Sequence, residues 1–313
     1  MSEPIPPLTL MDSLRQIPKS GQRVFFVAIG LIVLLNILLA TTPIPLAYIQ
    51  PANILATIVL VSLPIFGLYR GADHPWTPAF AVLYVVLGVV IQFGAVALSK
   101  GALQATPMAA VVGALAPVGL MLWCIGLGAL LATLLKDKNL LIPVSIFLAA
   151  FDIFLVLTPL GPTQKILQAA PQIFTSVAYT IPTAVEKPTH GPIRPFAYIG
   201  PADFVFMAMF FVAIYKYQMR AKQTLLALIP TLLLYFVLVF LIGPLPALVP
   251  IGLCVLAVNF KEFKLNKEEW ASTAVIAAIA IGLIAWGATR PKPPAEPVKT
   301  PPVAAQPKSE ATP

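Results

Sequence analysis

Charge is what this chain has least of. Only 10% of its 313 residues are Asp, Glu, Lys or Arg, against about 25% in soluble domains. So few charges cannot dress a solvated surface, which excludes a globular domain carried on a single anchor. Cysteine is nearly absent as well. Cys124 and Cys254 each stand in an apolar run with no partner spacing, so they read as buried free thiols and not as a disulfide or metal pair. Histidine is equally rare. His74 and His190 are single loop residues, read as solvated, and no H-E-x-x-H stretch accompanies them, which argues against a zinc protease. A G-x-S-x-G-like serine site is also missing. No metal or cofactor is called for. The net charge of +8 comes from basic residues scattered between apolar runs. Such scatter is a topology signal, not a nucleic-acid patch.

What the chain does have is apolar length. Hydrophobic residues make up 59%. Apolar runs lie near 24–41, 53–69, 79–98, 107–135, 140–160, 196–218, 223–243, 245–260 and 271–288. Most can cross a hydrocarbon core of about 30 Å; the run at 245–260 is short and begins among prolines. Backbone groups in lipid must be satisfied internally, so these runs are expected as helices. The expected fold is therefore all-α, a polytopic transmembrane bundle of about nine spans. Small residues between Ala109 and Gly128 suggest close helix packing.

The organisation follows from composition. Residues 1–23 form a basic N-terminal segment in which Met11–Lys19 suits a short interfacial helix. Residues 24–290 form the membrane domain. The first run lacks a small-residue cleavage site and is expected to stay as a span. Residues 291–313 are rich in Pro, Ala and Lys, have no means to build a core and read as disordered. The loop at 161–195 contains Ile173–Ile181, which suits a strand or a surface helix, before a Pro-rich stretch.

Loop charges set an expected orientation. With the N-terminus inside, the inner side collects Arg15, Lys19, Arg23, Arg70, Lys136, Lys138, Lys216, Arg220, Lys222, Lys261, Lys264 and Lys267. The positive-inside rule then places the N-terminus in the cytoplasm and the 161–195 loop and the tail outside. The membrane is expected to be a bacterial or archaeal inner membrane ahead of an internal eukaryotic one.

Two acids break the apolar runs. Asp152 sits in Leu148-Ala-Ala-Phe-Asp152-Ile-Phe-Leu-Val with no cation nearby in sequence, and Asp203 sits in Tyr198-Ile-Gly-Pro-Ala-Asp203-Phe-Val-Phe. A charge at bilayer depth costs about 2.5–3.5 kcal/mol on insertion scales, so such an acid is a functional-site hypothesis by default. For Asp203 two helix starts stay open. A start at Pro201 puts it in a first turn, where the dipole favours an anion. A start near Pro195 buries it deeper and makes Pro201 a kink. A pair of carboxyls in a low-dielectric site can share one proton, one activating water and the other donating to a carbonyl. A third feature is Gly243-Pro-Leu-Pro-Ala-Leu-Val-Pro250, whose prolines leave few amide donors. Irregular backbone at that depth must be buried in protein or line a wet cavity.

These features together resemble the GxGD-type intramembrane aspartyl proteases of the presenilin and signal peptide peptidase family. The resemblance covers about residues 140–260. It implies a presenilin-like fold and a catalytic dyad of Asp152 and Asp203. It also implies active-site shaping by Gly200, Ala202, Pro246, Ala247 and Leu248, and transmembrane-helix proteins as substrates within the bilayer. No cofactor is implied. The chain departs from the family pattern in four ways. Phe151 stands where a Tyr commonly precedes the first Asp, Ala202 replaces the second glycine of G-x-G-D, four runs and not five precede the Asp152 run, and an additional run, 271–288, follows the Pro-Ala-Leu stretch. Two other functions fit part of the sequence: a proton-coupled transporter, and a proteolytically inactive presenilin-like protein that binds membrane helices.

Overall fold

The computed structural model describes residues 20–104, 106, 108–158, 171–186 and 195–289. The interfacial helix expected at Met11–Lys19, the tail at 291–313, His190 and most of the 161–195 loop lie outside the described residues. The helices are α1 (Ser20–Thr41), α2 (Leu46–Ala72), α3 (Pro78–Lys100), α4 (Met108–Gly113), α5 (Ala116–Leu134), α6 (Leu141–Leu157) and α7 (Pro171–Val177), then α8 (Pro201–Lys216), α9 (Ala221–Ile242), α10 (Leu248–Val258) and α11 (Lys267–Ala288). The strands β1 (Tyr179–Pro182) and β2 (Pro195–Ile199) form one antiparallel pair, with Tyr179 opposite Ile199.

Among the described residues, seven helical stretches are long and apolar enough to cross a membrane. They are α1, α2, α3, the α4–α5 pair, α6 with its leading turn, α9 and α11. The expected runs at 196–218 and 245–260 are also helical, but shorter than expected. Residues 195–199 pair as a strand, so α8 starts only at Pro201 and has 16 residues. Pro244 and Pro246 remove amide donors, and Gly243 takes φ 105°, which ends α9 and delays α10 until Leu248. At 1.5 Å per residue, α8 spans about 24 Å and α10 about 17 Å, less than a full core. The expectation of an all-α bundle holds, with a two-stranded hairpin added. The Ile173–Ile181 stretch, for which strand and helix both stood open, divides between them: α7 ends at Val177 and β1 begins at Tyr179.

Local chemistry explains several boundaries. Thr77 Oγ1 accepts from the Phe80 amide at 3.3 Å and Pro78 takes the first helical position, so α3 starts there. Asn266 and Glu269 form a reciprocal capping box at the start of α11, each bond 2.8 Å. Gln92 reaches from α3 to the carbonyls of Ser176 and Val177 at 3.1 and 3.3 Å, fastening the hairpin to the bundle. Asn53 Oδ1 accepts from the Ala184 amide at 2.7 Å and anchors its other end.

The helices pack in two groups. α3, α5 and α8 form one face-to-face series, with α1 and α2 alongside. α6 packs mainly on α10 and α11. α9 joins the groups by touching α10 and α2. Glycines permit the closest approaches, as the small residues of 109–128 suggested. Gly88 and Gly119 face each other so tightly that a methyl on either would strike the other's carbonyl oxygen. A methyl on Gly128 would stand 2.6 Å from Ala208 Cβ and 2.7 Å from Met209 N and Val205 O, so Gly128 sets how near α8 comes to α5. His74 corrects the expectation of a solvated loop histidine. It is buried, 5.0 Å from the Phe80 ring and 5.8 Å from Trp76, because the α2–α3 turn folds under an aromatic cluster that includes Tyr84. Cys124 and Cys254 are buried free thiols.

The glycine contacts generate a test with opposite signs. Gly128→Ala is expected to destabilise the protein by about 1–3 kcal/mol through overpacking. Gly94→Ala, where a methyl meets nothing within 4 Å, is expected to stabilise it by about 0.5–1 kcal/mol through helix propensity. Reversible unfolding in mixed micelles measures both; equal effects would show that α5 and α8 do not approach as described.

Candidate active site

Asp203 is the third residue of α8. Gly200 is the N-cap, with φ −64° and ψ 142°, and Pro201 fills the first position, so of the two starts left open the structure adopts the one at Pro201. The Asp203 amide donates to the Gly200 carbonyl at 3.2 Å. The carboxyl turns back over Gly200, where an added methyl would lie 3.3 Å from Oδ2. A side chain at Gly200 would therefore press on the acid and require the carboxyl to shift by a few tenths of an ångström. Ala202 is exposed, so its methyl does not crowd the carboxyl. The start of α8 is fixed from two sides. Cys124 Sγ on α5 donates to the Pro201 carbonyl at 3.6 Å, and Phe204 packs edge-on to Tyr179 of β1 at 5.3 Å.

Asp152 lies on α6, eleven residues and about 17 Å beyond Leu141 and five residues before the helix ends. It is half-buried. Its Oδ2 accepts a 2.8 Å hydrogen bond from the amide of Leu248. Leu248 is the first residue of α10, so this amide has no partner within its own helix. Prolines at 246 and 250 concentrate the local donor capacity on the few amides between them. A carboxyl from one helix therefore caps another, and the Pro-Ala-Leu stretch is drawn against Asp152. Pro246, Ala247 and Leu248 are all buried.

The two acids belong to different packing groups, yet they share one electrostatic neighbourhood. Asp152 and Asp203 lie near enough for their charges to interact with one another and with the hydroxyl of Tyr235 on α9. Tyr235 donates a short hydrogen bond to the Leu245 carbonyl, in the irregular segment that leads to Leu248. Among the described residues neither acid has an ion-pair partner; the one ion pair is Arg220–Glu262 at 3.2 Å, between α9 and the segment after α10. Among the described residues no group of three or more His, Cys, Asp or Glu could hold a metal.

The structure thus gathers Asp152, Asp203, Gly200, Pro246, Ala247 and Leu248 in one region, with Ala202 on its exposed side. Sequence reasoning missed Tyr235 and the role of Cys124. Tyr235 had a readable signal, since it is the sole tyrosine of the 223–243 run, and a phenol at that depth needs a polar partner. Cys124 had none, because its contact joins helices far apart in the chain. Compared with protein-family models, with curated proteins and with solved structures, the chain has no match in any of the three.

The Leu248 bond can be separated from any chemistry. Asp152→Ala leaves a buried amide without an acceptor and is expected to cost about 1–3 kcal/mol of stability. Asp152→Asn keeps an oxygen acceptor in place and is expected to stay within about 0.5 kcal/mol of wild type. Equal stability of the two variants in micelle unfolding would show that Asp152 does not hold α10.

Proposed function

We propose that this chain is an intramembrane aspartyl protease that hydrolyses peptide bonds within transmembrane helices of other proteins. One observation carries the reading. Asp152, within an apolar helix, holds the first amide of the Pro-Ala-Leu helix and lies within electrostatic reach of Asp203. A purely structural acid has no need of a second carboxyl across a helix gap.

The chemistry requires one proton on the pair. The ionised member takes a proton from water, and the water oxygen attacks the scissile carbonyl carbon. The protonated member gives its proton to the carbonyl oxygen, so a neutral gem-diol forms and the pair again carries one proton. On collapse the carbon–nitrogen bond breaks. One carboxyl protonates the leaving nitrogen and the other recovers a proton from the diol. Tyr235 fixes the Leu245 carbonyl and so the backbone on which Leu248 and Asp152 meet. The irregular segment from Gly243 to Ala247 offers an edge to which an unwound substrate pairs as a strand. The protein works in this reading as a multi-pass membrane protein with a cytoplasmic N-terminus.

Purified protein in liposomes, mixed with a generic transmembrane peptide, tests the proposal. Asp152→Asn and Asp203→Asn are each expected to lower cleavage at least about 100-fold, the usual scale of a lost acid or base. Robust cleavage by either variant removes the dyad assignment. The rate is also expected to fall on both sides of a pH optimum: protonating both carboxyls removes the base, and ionising both removes the acid. A rate that rises monotonically with pH contradicts proton sharing.

A further inference from the structure

In sequence the basic residues are scattered between apolar runs, but in the fold three of the segments that carry them meet. They are residues 135–140 between α5 and α6, residues 216–222 at the junction of α8 and α9, and residues 259–267 between α10 and α11. Hydrogen bonds join them into a closed ring. The Leu135 carbonyl accepts from Lys216 Nζ at 2.7 Å and from the Tyr217 hydroxyl. The Arg220 amide donates to Asn259 Oδ1 at 2.9 Å, and the Arg220 guanidinium pairs with Glu262 at 3.2 Å. Asn139 closes the ring. Its Nδ2 donates to the Lys264 carbonyl at 3.0 Å, and its Oδ1 accepts from the Lys264 amide at 3.2 Å.

The ring concentrates positive charge. Lys136 and Lys138 stand on its first segment, Lys216, Arg220 and Lys222 on its second, and Lys261, Lys264 and Lys267 on its third. Against these eight cations the ring and the first turn of α11 hold four acids, Asp137, Glu262, Glu268 and Glu269. The acids are locally engaged. Asp137 Oδ1 accepts from the Asn139 amide at 2.7 Å, Glu262 pairs with Arg220, and Glu269 completes the capping box of α11. Glu268 lies in the first turn of α11, where the helix dipole favours an anion. The cations are less engaged. Among the described residues, the side chains of Lys136, Lys138, Lys222, Lys261, Lys264 and Lys267 form no hydrogen bond or ion pair. On the neighbouring α2–α3 turn the charges of Arg70 and Asp73 cancel.

Position selects the partner. Lys138 lies three residues before α6, Arg220 directly precedes α9, and Lys267 is the first residue of α11. Each of these helices is long and apolar enough to cross a membrane, so the ring stands at the level of lipid headgroups. Phe260 and Trp270, 76% and 62% exposed, flank Lys261, Lys264 and Lys267; aromatic side chains are enriched at that level. A polyanion in water would have to reach cations at the rim of the hydrocarbon, whereas an anionic lipid already lies there. We infer that the ring is a docking surface for anionic glycerophospholipids, whose headgroups it gathers from the surrounding leaflet. Basic residues beside a span attract such headgroups over about a Debye length, about 8 Å at physiological salt. The ring joins α5 and α8 of one packing group to α6, α10 and α11 of the other, so bound headgroups bear on both. The inference does not rest on the protease reading.

Electron paramagnetic resonance of the full chain in phosphatidylcholine vesicles tests this, with a trace of spin-labelled phosphatidylglycerol or phosphatidylcholine as the probe. The motionally restricted fraction of each probe gives its relative affinity for the protein surface. At low salt phosphatidylglycerol is expected to be preferred at least about twofold. In 1 M salt, where the Debye length is about 3 Å, the preference is expected to fall to near parity. The combined variant Lys261→Gln, Lys264→Gln and Lys267→Gln is expected to lose at least half of the preference. Lys100→Gln is expected to leave it unchanged, since Lys100 ends α3 outside the ring and bonds to Thr175 and Ser176. Should the combined variant not reconstitute, Lys136→Gln with Lys222→Gln removes one cation from each of the other two segments and is expected to act in the same direction. Equal affinity of the two probes for the wild type, or full preference in these variants, would overturn the assignment. So would single-stranded RNA or polyglutamate that binds the protein in phosphatidylcholine vesicles while no lipid preference is seen. None of these readouts uses proteolysis, so they stand or fall independently of the dyad.

Discussion

The interaction on which this structure turns is the bond between the Leu248 amide and the Asp152 carboxyl. It joins one apolar helix to the start of another, between a half-buried carboxyl and a buried amide. An amide left alone there costs about as much as a lost hydrogen bond, and an acid left alone costs more. Each group therefore stabilises the other. The consequence is positional: α10 cannot begin anywhere else without abandoning its acceptor, and the buried Pro-Ala-Leu stretch is held beside an acid.

Around that bond the chain arranges two packing groups, each held together by different means. α8 is pressed against α5 by glycine, with Gly128 allowing backbone contact and Cys124 reaching the Pro201 carbonyl. α6 is held by α10 and α11 through the Leu248 bond, the Asn139 cluster and the Phe154–Trp286 stack. Asp203 belongs to the first group and Asp152 to the second. Tyr235, on the helix between them, touches the segment that leads to Leu248, whose amide Asp152 holds. Relative movement of the two groups would change the separation of the acids without breaking either set of contacts. In the proposed protease, such movement is the means by which a bulky helical substrate would be admitted.

Much of this was legible before any coordinates. Apolar length and scarce charge were enough for a helical membrane bundle, since lipid leaves the backbone few options. The two acids stood out because each interrupts an apolar run at a cost. The shorter elements were harder to read. The run at 196–218 is continuous in hydropathy, and only pairing with residues 179–182, across the chain, converts its beginning into a strand. His74 was misread because a loop position says nothing about the aromatic side chains that later fold over it. Tyr235 and Cys124 act through contacts with distant helices, and hydropathy carries no record of such contacts.

The central claim is that Asp152 and Asp203 divide a single proton between them within the membrane. Difference infrared spectroscopy of the carboxyl stretch, comparing wild type with Asp152→Asn and Asp203→Asn across pH, addresses it most directly. The claim requires one protonated carboxyl per molecule at the pH of maximal cleavage, with either substitution altering the titration of the acid that remains. Two carboxyls that titrate independently, each indifferent to removal of the other, would contradict it.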